Sequence, residues 1–229
     1  MLNKKKILVK GPAMSLSGYG EQCRFALRAL RTYEDVFDIY LMNIGWGQTG
    51  FITEISEERQ WIDKVLSKTI EYISSGGTFD MSLQVTIPNE WEKISPIDIG
   101  YTAGIETTKI APQWLEKSLD MERIIVVSEF AKDGFVNTSY EATHKATGEK
   151  VNLSCPVPIE VVNYSTRNID ISPLDLQLDY DFNFLTIAQW GPRKNLDNTI
   201  RWFVEEFRDQ EVGLVVKTFQ KTNSNIDKH

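Results

Sequence analysis

The chemistry-bearing residues of this chain gather where apolar runs end. In SLSGYGEQ, Gly18 and Gly20 stand one residue apart in a small-residue loop that leads into a helix. Glycines let a ligand approach the backbone, and a helix start offers free N–H groups to an anion, phosphate above all. A tight strand-to-helix turn would use the same residues. The spacing is neither G-x-G-x-x-G nor a P-loop. In QWGPRKNLDNTI, Pro192 forces a turn and Arg193–Lys194 precede a helix, with Asn195 or Asp197 as its N-cap. Cations at a helix N-terminus oppose the macrodipole, so a bound anion would offset that cost. A forked guanidinium beside an ammonium suits a diphosphate. A solvated turn is the plainer reading. In VVKT, Lys217 either faces the same anion or marks a strand exit.

Carboxylates and aromatics form a second set. Glu106, in GIETT beside Gly104, can hold a sugar hydroxyl, act as a base, or cap the next helix. Glu129 in SEF reads as an ordinary helix-start carboxylate. In IPNEWE, Trp91 reads as a core tryptophan rather than a stacking platform. The Asp179–Asp181 pair has a D-x-D spacing that can hold a metal, but it precedes a strand instead of following one. No metal is expected.

Bulk composition excludes other classes. The 229 residues carry a net charge of −7 and are 41% hydrophobic. An acidic chain lacks the basic surface that nonspecific nucleic-acid binding relies on. No apolar run approaches the ~18 residues of a membrane span, and Lys4–Lys5–Lys6 is followed by no signal-peptide core. A peripheral membrane contact stays open. Cys23 and Cys155 are far apart and suggest no disulfide or zinc framework. A reduced, cytoplasmic compartment is expected. The only histidines are His144, in a polar run, and the terminal His229, which argues against a catalytic triad or a multi-histidine centre.

The elements that must position these residues alternate. KKILVKG, FDIYLMNIG, FDMSLQVTIP, IDIGYTAGIE and RIIVVS read as buried strands. Helical patterns lie at EQCRFALRALRTY, EISEERQWIDKVLSKTIEYISS, APQWLEKSLD and EFAKDGF. Continuous apolar strands alternating with helices predict a parallel sheet with helices on both faces. Ligands bind such sheets beyond the carboxyl ends of the strands, which singles out the loops GPAMSLSGYG, GWGQTG, PNEWE, TAGIETT and SEF. The predicted organisation is an α/β Rossmann-like domain over residues 1–165, a polar linker over 166–181, and a β-α-β unit over 182–229. A full doubly wound domain needs roughly a hundred residues or more, so the second is expected to be partial.

Together, KILVKGPAMSLSGYGEQCRFALRAL, GYTAGIETTKIAPQWLEKSLDMERIIVVSEFAKDGF and FLTIAQWGPRKNLDNTIRWFVEEF…VGLVVKT resemble the GT-B glycosyltransferases, in particular the retaining group 1, family-4-like members. The resemblance covers most of the chain. It implies two Rossmann-like domains facing across a cleft, the second binding a nucleotide-sugar and the first an acceptor, be it glycan, lipid or protein. It puts Gly18 and Gly20 near the donor diphosphate and Arg193, Lys194 and Lys217 around it, with Arg193 and Lys194 catalytic. Tyr19 and Glu106 fall on the acceptor side. Such enzymes need neither a protein nucleophile nor a metal: the leaving phosphate takes the acceptor's proton while cations stabilise its charge. The chain departs from the pattern where Ala188 and Gln189 occupy the place of an arginine, and the paired-glutamate segment that holds the donor sugar would lie past residue 229. The chain is therefore expected to be inactive alone. The competing expectation is a noncatalytic module, or a degenerate homologue, acting through protein or glycan contacts. A dinucleotide oxidoreductase would need G-x-G-x-x-G and an acidic end to the second strand, where NIGWG stands instead.

Overall fold

The computed structural model describes residues 4–47, 49–143, 148–169 and 171–219. His144, His229 and the polar tail from residue 220 lie outside these. The chain divides into two compact units, one formed by residues 1–46 and 51–166, the other by 47–50 and 167–229.

The first unit holds β1 (Lys5–Gly11), α1 (Gly18–Arg31), β2 (Phe37–Asn43), α2 (Glu57–Ser74), β3 (Met81–Val85), β4 (Ile97–Thr102), α3 (Pro112–Ser118), β5 (Arg123–Val126), α4 (Glu129–Val136), β6 (Ser139–Thr143), β7 (Lys150–Ser154) and β8 (Ile159–Val161). Six strands form one sheet in the order β2-β1-β3-β4-β5-β8, every pair parallel. β6 and β7 form a separate antiparallel hairpin. This is an α/β fold of general Rossmann-like character. The order reverses between β1 and β3, the position beyond whose carboxyl ends sheets of this kind take their ligands.

Local chemistry explains the boundaries. Ser17, Ser56 and Ser128 cap α1, α2 and α4, each accepting a backbone N–H three residues on, which satisfies donors a helix start leaves free. Past α2 the chain turns at Gly76, whose φ is +80°. Apolar side chains form two clusters. Ile7, Val9, Leu27, Ile39, Leu41, Ile62 and Val65 anchor the first, and Trp91, Leu115, Ile124, Val126 and Phe135 the second. On β5, Ile124 and Val126 belong to the second cluster while Ile125 and Val127 pack into the first, so both faces of this strand are covered. Its unbroken apolar composition follows from that.

β3 and β4 depart from the expected apolar runs and from the helix-on-both-faces pattern. Their connection holds only a 3₁₀ turn at Pro88–Glu90 and extended chain. Beneath it the strands present Ser82, Gln84 and Asp98, all fully buried. Gln84 grips Glu92, donating to its carbonyl at 2.6 Å and accepting its N–H at 3.0 Å. Asp98 accepts from Ser82 Oγ and from the N–H groups of Ile94 and Ser95. An extended segment over a sheet exposes backbone groups that must find partners, so polar side chains stand where a helix would have wanted apolar ones. At the outer edge, Thr69 of α2 accepts the Leu41 N–H of β2 at 2.8 Å and donates to Val65 O at 2.7 Å.

The second unit contains β9 (Phe182–Gln189), α5 (Leu196–Phe207) and β10 (Val212–Phe219). β9 and β10 pair in parallel. Phe184 packs against Phe203 and Phe207 of α5, with ring centroids 5.9 and 5.3 Å away. Side chains alternate along a strand, so Leu185 and Ile187 occupy the face away from α5 and both are exposed.

Candidate functional site

In the first unit the candidate residues collect beyond the carboxyl ends of the strands. After β1 the loop from Pro12 to Ser17 folds back onto the start of α1. Arg24, 5% exposed, fixes it by donating from Nη1 to the carbonyls of Ala13 and Ser15 at 2.7 and 2.9 Å. Its remaining nitrogens bind Glu21. Burial alone would raise the Glu21 carboxyl, but hydrogen bonds from Arg28 and Arg24 outweigh it and hold the group below its ordinary value.

The two glycines prove unlike. A Cβ on Gly20 would lie 2.1 Å from the Ser15 carbonyl oxygen, so this glycine is required by the loop's own packing. A Cβ on Gly18 would meet nothing within 4 Å, and the residue is exposed. Ser17 takes the Gly20 N–H. The N–H groups of Gly18 and Tyr19 have no partner among the described residues.

Tyr19 reaches across to β4. Its hydroxyl shares a 2.8 Å hydrogen bond with Thr102 Oγ1 and accepts the Ala103 N–H at 3.1 Å. Its ring lies 4.6 Å from that of Trp46, tilted by 39°. Burial pushes the Tyr19 phenol up; the hydrogen bonds from Thr102 and Ala103 pull the other way, and Tyr164 and Glu106 add to the rise. The Tyr164 phenol is likewise raised by burial and by Glu106. Glu106 is exposed in the loop after β4 and makes no ion pair among the described residues. Gly104 turns that loop with a φ of +80° and lies against Ala131 of α4. The Gln22 amide, buried near the Tyr101 hydroxyl, has no hydrogen-bond partner of ordinary length.

In the second unit, Gln189 to Lys194 form the turn between β9 and α5. Lys194 and Asn195 both donate their N–H to Gly191 O. Asn195 holds the N-cap position in a left-handed conformation, φ 52°, and its side chain does not cap the helix. Instead its Oδ1 accepts from Asn198 Nδ2 at 2.8 Å. Asp197 sits inside the first turn. Arg193 and Lys194 are exposed and have no ion-pair partner among the described residues. They stand side by side just ahead of α5, where Asn195 takes the N-cap position but, against the sequence expectation, makes no side-chain cap. Lys217 lies within β10, opposite Ile187, on the face away from α5.

No family model, curated protein or solved structure matches this chain. The site is therefore read from its own chemistry. Of the other sequence candidates, Trp91 is core: it is fully buried, and its indole N–H donates to Gln84 O at 3.2 Å. Glu129 opens α4 behind the Ser128 cap. Asp179 and Asp181 are exposed, and no cluster of three or more His, Cys, Asp or Glu suited to a metal occurs among the described residues. No described helix is long and apolar enough to cross a membrane. Residue-type reasoning passed over Trp46, Thr102, Tyr164 and Arg24. The place of GWGQTG directly after a strand is the available signal for Trp46. The other contacts bring together residues 9 to 83 positions apart only on folding.

Proposed function

We propose that this chain is a GT-B glycosyltransferase polypeptide that serves to move a sugar from a nucleotide-sugar to an acceptor with retention of configuration. The observation that carries this reading is the pair Arg193–Lys194, exposed and unpaired at the start of α5, where no side chain caps the helix. Two cations and free helix N–H groups make a site for a diphosphate. During transfer, negative charge grows on the leaving diphosphate, and fixed cations stabilise it more in the transition state than in the ground state. In this reading the diphosphate accepts the acceptor's proton, so neither a nucleophilic side chain nor a metal is needed. Gly18, with its open surroundings and free N–H, is the glycine that suits close approach of the donor. Tyr19 and Glu106 serve the acceptor.

The test is product formation from a panel of nucleotide-sugars by the protein. Replacing Arg193 and Lys194 by alanine cuts turnover at least about a hundredfold, since one electrostatic contact to developing charge is worth several kcal/mol. Unchanged turnover removes the assignment. One observation favours the noncatalytic alternative: Gly20, half of the glycine pair, is fully accounted for by its own loop. Saccharide or protein binding without turnover on any donor would support that module.

A further inference from the structure

Four strands of the first sheet begin around an open cavity, and we propose that it binds a small anionic amphiphile: a carboxylic acid with an apolar body, such as a medium-chain fatty acid. The cavity measures about 670 Å3, within the range of small-molecule sites. It lies at the amino-terminal ends of β1, β2, β3 and β4, opposite the loops that hold Gly18 and Glu106. Its wall is apolar. Phe37, Met81 and Ile97 open β2, β3 and β4, and Tyr72, Phe79 and Pro96 complete the surface. The wall is also held in place. The Lys5 N–H donates to Val36 O at 2.9 Å and the Asp80 N–H to Lys6 O at 3.0 Å, which ties the strand starts to the chain beside them. The Tyr72 hydroxyl donates to Thr78 O at 2.8 Å, and its ring lies 5.5 Å from that of Phe79. Val36 and Ile97, 46% and 44% exposed, leave apolar surface in water here. Covering it with an apolar ligand is favourable.

Charge selects the head of the ligand. Lys5 and Lys6 line the same cavity and make no salt bridge among the described residues. The Lys6 ammonium stands 5.9 Å from the centre of the Tyr72 ring, against the apolar wall. Two carboxylates adjoin Lys6, and each has partners of its own. Asp80 accepts the Lys6 main-chain N–H at 2.7 Å. Asp38, beside Lys6 in the β1–β2 register, accepts from Lys68 Nζ and from the Tyr40 hydroxyl, both at 2.8 Å. Asp80 is the one acid in the lining, set against two lysines, so the cavity carries a positive excess. A carboxylate head gains from that excess while its tail is covered, and an ammonium head is repelled by it.

Titration calorimetry on the 229-residue protein tests this, with decanoate, decanol and decyltrimethylammonium, which share one alkyl tail, each kept below its micelle concentration. Decanoate is expected to bind at least about fivefold more tightly than decyltrimethylammonium, the scale of two partly exposed charge contacts. Lys5→Gln combined with Lys6→Gln is expected to weaken decanoate about fivefold and to leave decanol within about twofold. Ile97→Gln is expected to weaken both probes alike; circular dichroism confirms the fold of each variant. Leu185→Gln combined with Ile187→Gln, on the bare face of the second unit, is expected to change neither. The inference is overturned if decanoate does not bind, if the cationic probe binds as well, if the lysine variant affects decanoate no more than decanol, or if only the second-unit variant lowers binding. Retention on phosphatidylglycerol vesicles without uptake of free decanoate would make the lysines a membrane contact and overturn it too. None of the residues given to donor or acceptor lines this cavity, so its binding is measured apart from any transfer.

Discussion

Gly18 and Gly20 are alike in sequence and opposite in duty. Adding a methyl group at Gly20 drives it into the Ser15 carbonyl, which is backbone and cannot swing away. Gly20→Ala is expected to cost about 1–3 kcal/mol, the usual range for overpacking, read as a lower urea midpoint. Gly18→Ala is expected to leave stability within about 0.5 kcal/mol, as at open surface positions. If a donor approaches Gly18, the same substitution lowers turnover while the melting curve stays put. Equal stability losses in both variants would contradict this division. The sequence could not separate the two residues, because the difference lies in where the loop of residues 12–15 returns. Arg24 was hidden for a related reason. An arginine on an amphipathic helix reads as surface until the carbonyls of Ala13 and Ser15 turn toward it.

Elements were more legible than contacts. Every helix and strand of the first unit that lies in an apolar run is foreshadowed by the period of that run, and serine caps mark three helix starts. The connection from β3 to β4 was not foreseen, since buried Ser82, Gln84 and Asp98 make sense only once the extended chain lies above them. Between elements, Arg28 of α1 bonds both Glu21 of α1 and Glu58 of α2, at 2.9 Å and 2.5 Å. Because the folded Glu21 carboxyl is held below its ordinary value near 4.5, its contribution is present above that pH. It is lost as pH falls through the lower, folded value. Urea unfolding from pH 7 down to pH 3 should show stability declining at the acidic end, and Glu21→Gln should flatten the decline. A variant with the same acid slope as the parent would show that the Glu21 contacts to Arg24 and Arg28 add nothing.

For the molecule as a whole, the chain between the sheets is the weak point. Residues 171–180 are all exposed and contain no strand or helix. Such stretches are the preferred sites of proteolysis. Brief chymotrypsin treatment should cut first near Leu174, Leu176, Leu178 or Tyr180 and leave a resistant piece ending close to residue 166, identified by mass spectrometry. Early cleavage inside the six-stranded sheet would contradict the two-unit division. The second unit presents a different problem. Leu185 and Ile187 are 63% and 64% exposed on a bare sheet face, whereas a parallel sheet is normally covered on both sides. The polar stretch before Phe182 signals this change of unit in the sequence, but not which face stays uncovered.

At the β2 side of the first sheet, the Thr69 hydroxyl occupies the one backbone donor of Leu41 that an intruding strand would seek. A neighbouring copy meets a helix there instead of an open ladder. Growth of the sheet from molecule to molecule is hindered at that point of the flank, so any clumping in concentrated solution should begin at the bare strands after residue 181.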